Sequence, residues 1–274
     1  MSTPDEAAPS PPVVLLHVDA RGVATLTLNR PEIHNAFDDR LIAELAHKLR
    51  DAAHDPDVRA IVLAANGKSF SAGADLNWMK RMARYSEGEN LRDAVGLADL
   101  MHTISALPKP AVARVQGPAY GGGVGLVACC DIAVGSHAAA FSLSEVRLGL
   151  IPAVISPHVI AAIGERQARR YFLTAERFDA AEALRIGLLH AVVEEGQLDA
   201  ALNAILDQLL KGGPKALAAA KSLIASVANR PIDRGLVEDT AERIARIRVT
   251  AEGREGIAAF LEKRPPVWVK KTSS

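Results

Sequence analysis

Gly117-Pro118-Ala119-Tyr120-Gly121-Gly122-Gly123-Val124-Gly125 follows a short β-branched run, Ala111 to Val115, and leads into an apolar stretch. Strand, glycine-rich turn and apolar helix in that order place the glycines at a helix N-terminus. There, unpaired N–H groups point outward with the favourable end of the helix dipole behind them, a setting for a negative oxygen. A second loop of the same character, Phe70-Ser71-Ala72-Gly73-Ala74-Asp75, follows the run Ala60 to Ala65. Both loops carry residues too small to obstruct a ligand, so both expose backbone. A Gly-Gly-Gly taken alone serves equally to pack a helix closely on a strand.

Working outward, Val13 to Val18 and Val23 to Leu28 read as two further strands, and helical patterns separate the later strands, which implies an α/β architecture. Leu41, Ile42, Leu45 and Leu49 recur at helical spacing behind the N-cap candidate Asp38, and Leu91 to Ile104 reads as a second helix. After about residue 196 strand signals stop. Three helical patterns follow, built on Leu198, Leu202, Ile205 and Leu209, on Leu217, Ala220, Ile224 and Val227, and on Leu236, Thr240, Ile244 and Ile247. Gly212-Gly213-Pro214 separates the first two. The chain therefore divides into a disordered tail (1–12), an α/β body (13–196) and a helical region (197–274) whose apolar faces need a partner in the body or in another subunit.

The 274 residues are 49% hydrophobic, and 32 basic residues balance 32 acidic ones, so no global field favours nucleic acid or an anionic membrane. No run of 18 apolar residues occurs, and the Pro-rich start, with Pro4, Pro9, Pro11 and Pro12, lacks the basic and apolar parts of a signal peptide. The two cysteines, Cys129 and Cys130, are adjacent in an apolar run and read as packing residues of a cytoplasmic protein. Asn66-Gly67-Lys68-Ser69 lacks the first glycine of a P-loop, Val62 standing in its place. The Gly121 to Gly125 cluster has Leu126 where a dinucleotide fingerprint needs its last glycine. Zinc-helix histidine spacing and a Gly-x-Ser-x-Gly elbow are both missing.

The two small-residue loops resemble the two oxyanion-hole segments of the crotonase (enoyl-CoA hydratase/isomerase) family. Asn29-Arg30-Pro31 with Asn35-Ala36, Cys130-Asp131-Ile132, Leu148-Gly149-Leu150-Ile151-Pro152 and Phe260-Leu261-Glu262-Lys263-Arg264-Pro265-Pro266 resemble further family segments in the family's order. Together they span about residues 13 to 268. The resemblance implies a crotonase-like spiral of β-β-α units with C-terminal helices that complete trimers or hexamers. It also implies an acyl-CoA substrate whose thioester oxygen is held by the N–H groups of Ala74 and Gly122. Coenzyme A is then part of the substrate and no separate cofactor is expected. Contacts to substrate and coenzyme A are expected at Ala72, Gly73, Asp75, Leu76, Asn77, Gly121 and Ala36, with the adenine end near Asn29 to Ala36 and Asp75 to Asn77.

The family's two acid/base glutamates fall on Gly125 and Glu145, so one carboxylate is present here. Glu145, between Phe141 and Leu148, is the expected acid/base group, its pKa raised by partial burial; pairing with Arg147 on the surface is the alternative. Resemblance in the Gly121 to Asp131 and Ile151 to Pro157 segments points to methylglutaconyl-CoA hydratases. A single glutamate also suits a Δ3,Δ2-enoyl-CoA isomerase, and a catalytically weak binding homologue is a third reading. Lys80, Arg81 and Arg84 are candidate partners for a distal substrate carboxylate. A glutamate introduced at Gly125 is expected to enhance hydration of unbranched enoyl-CoA. Ala153, Val154 and Ile155 stand where relatives have glycines and alter the bulk near the acyl group.

Overall fold

The computed structural model describes residues 12–269; apart from Pro12, the expected tail lies outside them. Strands β1 (Val14–Val18) and β2 (Val23–Leu28) form an antiparallel hairpin, and β3 (Ala60–Ala65), β4 (Ala111–Val115), β6 (Ile132–Ser136) and β9 (Ala191–Val193) add to it in parallel, in the order β1-β2-β3-β4-β6-β9. A second, small sheet has the order β5-β7-β8, from Ala119–Tyr120, Ala140–Ser142 and Phe178–Asp179. All six residues of β3 are buried. Ile61, Leu63 and Ala65 join the main core while Ala60, Val62 and Ala64 join a second cluster on the other face. A strand covered on both faces reads as a continuous apolar run, which is the pattern Ala60 to Ala65 shows.

Between these strands lie helices α1 (Asp39–His54), α2 (Leu76–Met82), α3 (Glu87–Ala106) and α4 (Gly122–Cys129), then α5 (Ser156–Thr174) and α6 (Ala180–Ile186). Asp38 caps α1 by accepting a 2.8 Å hydrogen bond from Leu41 N, and Leu41, Ile42, Leu45 and Leu49 form its buried stripe. Helix α3 starts four residues before the apolar pattern because Ser86 and Glu89 close a capping box, a polar signal that periodicity cannot register. Helix α5 breaks its helical geometry at Gly164, where φ is 76°.

The C-terminal stretch contains α7 (Leu198–Leu209), α8 (Pro214–Val227), α9 (Arg234–Arg248) and α10 (Ala251–Leu261). The three expected helical patterns are therefore four helices: Thr250, accepting from Gly253 N at 3.0 Å, caps a separate α10. Leu202 and Leu206 of α7 cover the second face of the main sheet. Helices α8 to α10 pack on one another, and α8 has no buried residue. Two polar ties hold them to the body. Arg59 donates to the carbonyls of Gly212 (2.8 Å) and Trp268 (3.0 Å), and Lys221 pairs with Asp131 at 2.8 Å. Asp131 also accepts from Ala111 N at 2.7 Å, a structural role at the entry to β6.

Candidate active site

The first loop is aimed by an isolated parallel bridge between Phe37 and Ala74. Phe37 N donates to Gly73 O (2.6 Å) and Asp75 N donates to Phe37 O (2.8 Å). In that pattern the residue between the two bonds turns its own N–H to the opposite edge, away from Phe37. A second bridge, Ser71 to Ala119, joins the two loops, with Tyr120 N donating to Ser71 O at 2.9 Å. Fully buried Ser71 donates its hydroxyl to Asn35 O at 2.9 Å.

Gly121 makes the sharp turn into α4 at φ 50°, ψ −118°, a conformation that suits glycine. Its N–H donates to Ser142 O, while its carbonyl accepts from Val124 N and Gly125 N. Gly122 is thus the first residue of the helix, and its N–H is one of the donors a helix cannot pair internally. Among the described residues neither the Ala74 nor the Gly122 N–H has a hydrogen-bond partner. The two glycines that follow the turn also meet tight packing: a Cβ at Gly122 would lie 3.2 Å from the Phe37 ring, and one at Gly123 would lie 2.8 Å from Ser71 O. The triplet therefore combines close packing with an exposed donor.

Strand β7 pairs with β5, Tyr120 opposite Ser142, and so delivers Glu145 to the same place. Its Oε1 lies 3.1 Å from where a Cβ on Gly121 would stand. Its Oε2 is buried with no hydrogen-bond partner among the described residues. Burial pushes the carboxyl pKa up, partly opposed by its own backbone N–H. Arg147 is exposed and makes no ion pair with it among the described residues, so the surface-pair alternative does not hold.

Gly125 lies one turn further along α4. A Cβ there would stand 2.3 Å from Ile155 Cγ2 and 3.2 Å from Met101 Cε. The Gly125→Glu change expected to enhance hydration would therefore have to displace Ile155, which is 30 positions away in sequence, buried, and already fills that volume. Of its neighbours, Val154 packs half-buried on the core and Ala153 is exposed.

The remaining expected residues divide. Ala72, Leu76 and Asn77 are exposed beside the loop, and Gly73 touches the second loop, a Cβ on it standing 3.2 Å from Tyr120 O. Asp75 is engaged as the cap of α2, accepting from Asn77 N and Trp78 N, with Arg30 bridging it at 4.0 Å to Asp38 at 2.5 Å. Ala36 is 6% exposed, its N–H donating to Ile33 O and its carbonyl accepting from Arg30 Nη1. Arg81 is taken by Asp39 at 2.6 Å, which leaves exposed Lys80 and Arg84 without an ion pair among the described residues. Cys129 and Cys130 are buried thiols, the former pushed up to about 12 by desolvation, which disfavours the thiolate form. Among the described residues no group of three or more His, Cys, Asp or Glu could hold a metal, and no helix is long and apolar enough to cross a membrane. Sequence reasoning missed Phe37, and it named Ile155 for bulk near the acyl group without its partner Gly125, because both residues act through contacts distant in sequence.

Two N–H groups unpaired among the described residues, beside a half-buried carboxyl of raised proton affinity, are groups that can together stabilise a negative oxygen and move a proton. The chain belongs to the enoyl-CoA hydratase/isomerase family, whose profile matches residues 19–271. The crystal structure of an enoyl-CoA hydratase from Shewanella pealeana superposes with a TM-score of 0.91 at 47% identity, over 93% of this chain and 96% of that one. The 2,3-dehydroadipyl-CoA hydratase of Escherichia coli is 33% identical over 89% of this chain and 94% of its own length. The short-chain-enoyl-CoA hydratase of Clostridium acetobutylicum is 32% identical over 88% and 92%. The crotonase-like spiral is thus the fold.

Proposed function

We propose that the protein hydrates the 2,3 double bond of an enoyl-CoA thioester with Glu145 as its one acid/base group. The observation that carries this is the buried, unpartnered Oε2 of Glu145 beside the turn that frees the Gly122 N–H. Ionised Glu145 takes a proton from water as its oxygen bonds to C3. The π electrons move onto the thioester oxygen, where Ala74 and Gly122 donate, each such donor being worth about 3 kcal/mol in the transition state. The enolate then collapses as C2 takes the proton back from Glu145. One proton leaves and one returns, so a single carboxylate completes the cycle without a cofactor.

The same residue moving a proton between C2 and C4 would make the enzyme a Δ3,Δ2-enoyl-CoA isomerase, a reading favoured by the filled space at Gly125. Ala72, Gly73, Asp75, Leu76, Asn77 and Gly121 are the proposed lining of the coenzyme A path. For the acyl group we favour a branched glutaconyl chain such as 3-methylglutaconyl, as in leucine or isoprenoid-acid breakdown. The Escherichia coli relative's named substrate also ends in a carboxylate, and here exposed Lys80 and Arg84 have no ion pair among the described residues. Exposed Ile224, Ile257, Phe260 and Leu261 on α8 and α10 support a homotrimer or hexamer. A cytoplasmic setting fits the reduced, buried cysteines.

Absorbance at the conjugated thioester band, with crotonyl-CoA, 3-methylglutaconyl-CoA and a 3-enoyl-CoA in parallel, tests the reading. Loss of absorbance with a conjugated ester and formation of the 3-hydroxyacyl product is expected. A rise with the 3-enoyl ester alone refutes hydration in favour of isomerisation. Glu145→Gln is expected to abolish turnover while keeping CoA-ester affinity, and near-wild-type turnover refutes the assignment.

A further inference from the structure

Residues 121 and 125 occupy adjacent turns at the start of α4, joined by the 3.3 Å hydrogen bond from Gly125 N to Gly121 O. Gly121 abuts the Glu145 carboxylate and Gly125 abuts Ile155. Ile155 is held firmly: it is 3% exposed, begins α5 as its N-cap, and accepts from Val159 N at 3.0 Å. Fully buried Met101 backs the same space. The wall one helical turn from Glu145 is therefore hydrocarbon contributed by α5 and α3, because α4 contributes no side chain there.

Charged groups do not account for the proton affinity of Glu145. Helix α4 carries no charged residue from Gly122 to Cys129. The segment leading from Glu145 to α5 has Arg147, exposed and unpaired with it, as its one charged group. On α5 the nearest titratable group is His158, whose pKa is held down by burial and by His102 of α3, so it is uncharged near neutral pH. Desolvation is the dominant influence on Glu145.

We propose that Ile155 is a positioning residue for proton transfer: its methyl groups occupy the space of a side chain at 125, keep the wall beside Glu145 dry, and leave Glu145 as the one group through which protons pass. This rests on the reading of Glu145 as the acid/base group. It makes 125 and 155 a coupled pair, in which one position can carry bulk only if the other gives it up.

The test is the pH dependence of kcat/KM for the conjugated ester that the wild type turns over, measured for wild type, Ile155→Val and Ile155→Thr. Valine removes one methyl and keeps the wall apolar, while threonine puts a hydroxyl into it. The acid limb is expected to stay in place for valine and to move down by about half a unit or more for threonine, as hydrogen bonding to the ionised form favours it. Gly125→Ser with Ile155→Ala places a hydroxyl in the same space from the other side and is expected to move the limb likewise, which covers the case of a threonine variant that does not fold. A limb that stays put in both hydroxyl variants, whatever happens to their stability, overturns the proposal and makes Ile155 a packing residue. Direct titration of the Glu145 carboxyl by ¹³C NMR, with its signal identified by loss in Glu145→Gln, separates the two levels. If Glu145→Gln stays active, the catalytic reading fails; the NMR shift caused by threonine at 155 then still supports or overturns the control of Glu145 by Ile155.

Discussion

Asn35 is expected to hold the first loop in place, and its removal should be among the most damaging single changes outside the apolar core. Its side chain is fully buried at φ 53°, with Oδ1 accepting from Arg30 N at 2.8 Å and Nδ2 donating to Asn66 O at 2.8 Å and Ser69 O at 3.0 Å. Ser69 O keeps a second donor in Gln116 Nε2, so Asn35→Ala orphans chiefly the Arg30 N–H and the Asn66 carbonyl. Three hydrogen bonds at about 1 kcal/mol each sum to roughly 3 kcal/mol. Alanine in the left-handed region adds about 1 kcal/mol. For a chain of this size the total lowers Tm by roughly 5–7 °C. Thermal melting at fixed protein concentration reads this directly. Asn35→Gly loses the same bonds without the backbone strain and should melt above Asn35→Ala by about 1–2 °C. Asn35→Asp keeps the acceptor but sets a carboxylate against two carbonyls, so its deficit should shrink as pH falls through the raised pKa of the new group. An Asn35→Ala protein that melts with the wild type would refute the reasoning, since no combination of these contacts sums to zero.

Glu145 should give a stability signature opposite to the activity loss expected of its proposed role. Its pKa is raised in the folded state, so its contribution to stability is full below the unfolded-state value and is lost as pH rises through the folded value. Glu145→Gln, which cannot ionise, should therefore melt above wild type near about pH 7.5, with the gap closing toward about pH 4. Gly125→Ala alone should be destabilising by about 1–3 kcal/mol through overpacking on Ile155, and adding Ile155→Ala should cost less than the sum of the two single changes in a double-mutant cycle. Additive effects would show that the two side chains do not compete for one space. Asp38→Ala removes both the cap of α1 and the closer partner of Arg30, and should lose about 1–2 kcal/mol in urea unfolding; an unchanged midpoint would count against both roles.

Elements whose formation depends on apolar periodicity were readable from the chain alone: β2, β3 and β4 and the stripe of α1 stand where Val23 to Leu28, Ala60 to Ala65, Ala111 to Val115 and Leu41 to Leu49 place them. Starts governed by polar caps were not, hence the early onset of α3 at the Ser86–Glu89 box and the separation of α10 at Thr250. Within the site, the loops around Ala74 and Gly122 and the glutamate at 145 were picked out by their resemblance to family segments, since residue types alone left close packing and a surface ion pair equally open. At Ala36 nothing local shows that Arg30 reaches its carbonyl, a contact that only the folded chain reveals. Ile155 and Phe37 matter only through partners 30 and 37 residues away, a separation that no motif spans.

The bridges that aim the two donors have a consequence for the order of folding. Phe37 meets Ala74, Ser71 meets Ala119, and Tyr120 meets Ser142, so the shortest continuous piece of chain containing both donors, these bridge partners and Glu145 runs from Phe37 to Glu145. Every one of these pairings closes a long loop, and long loops close slowly compared with local helix formation. During refolding, turnover should therefore return with the last cooperative phase, after helical signal has recovered. Under the proposed function, recovery of turnover would then report completion of the whole fold rather than formation of its helices.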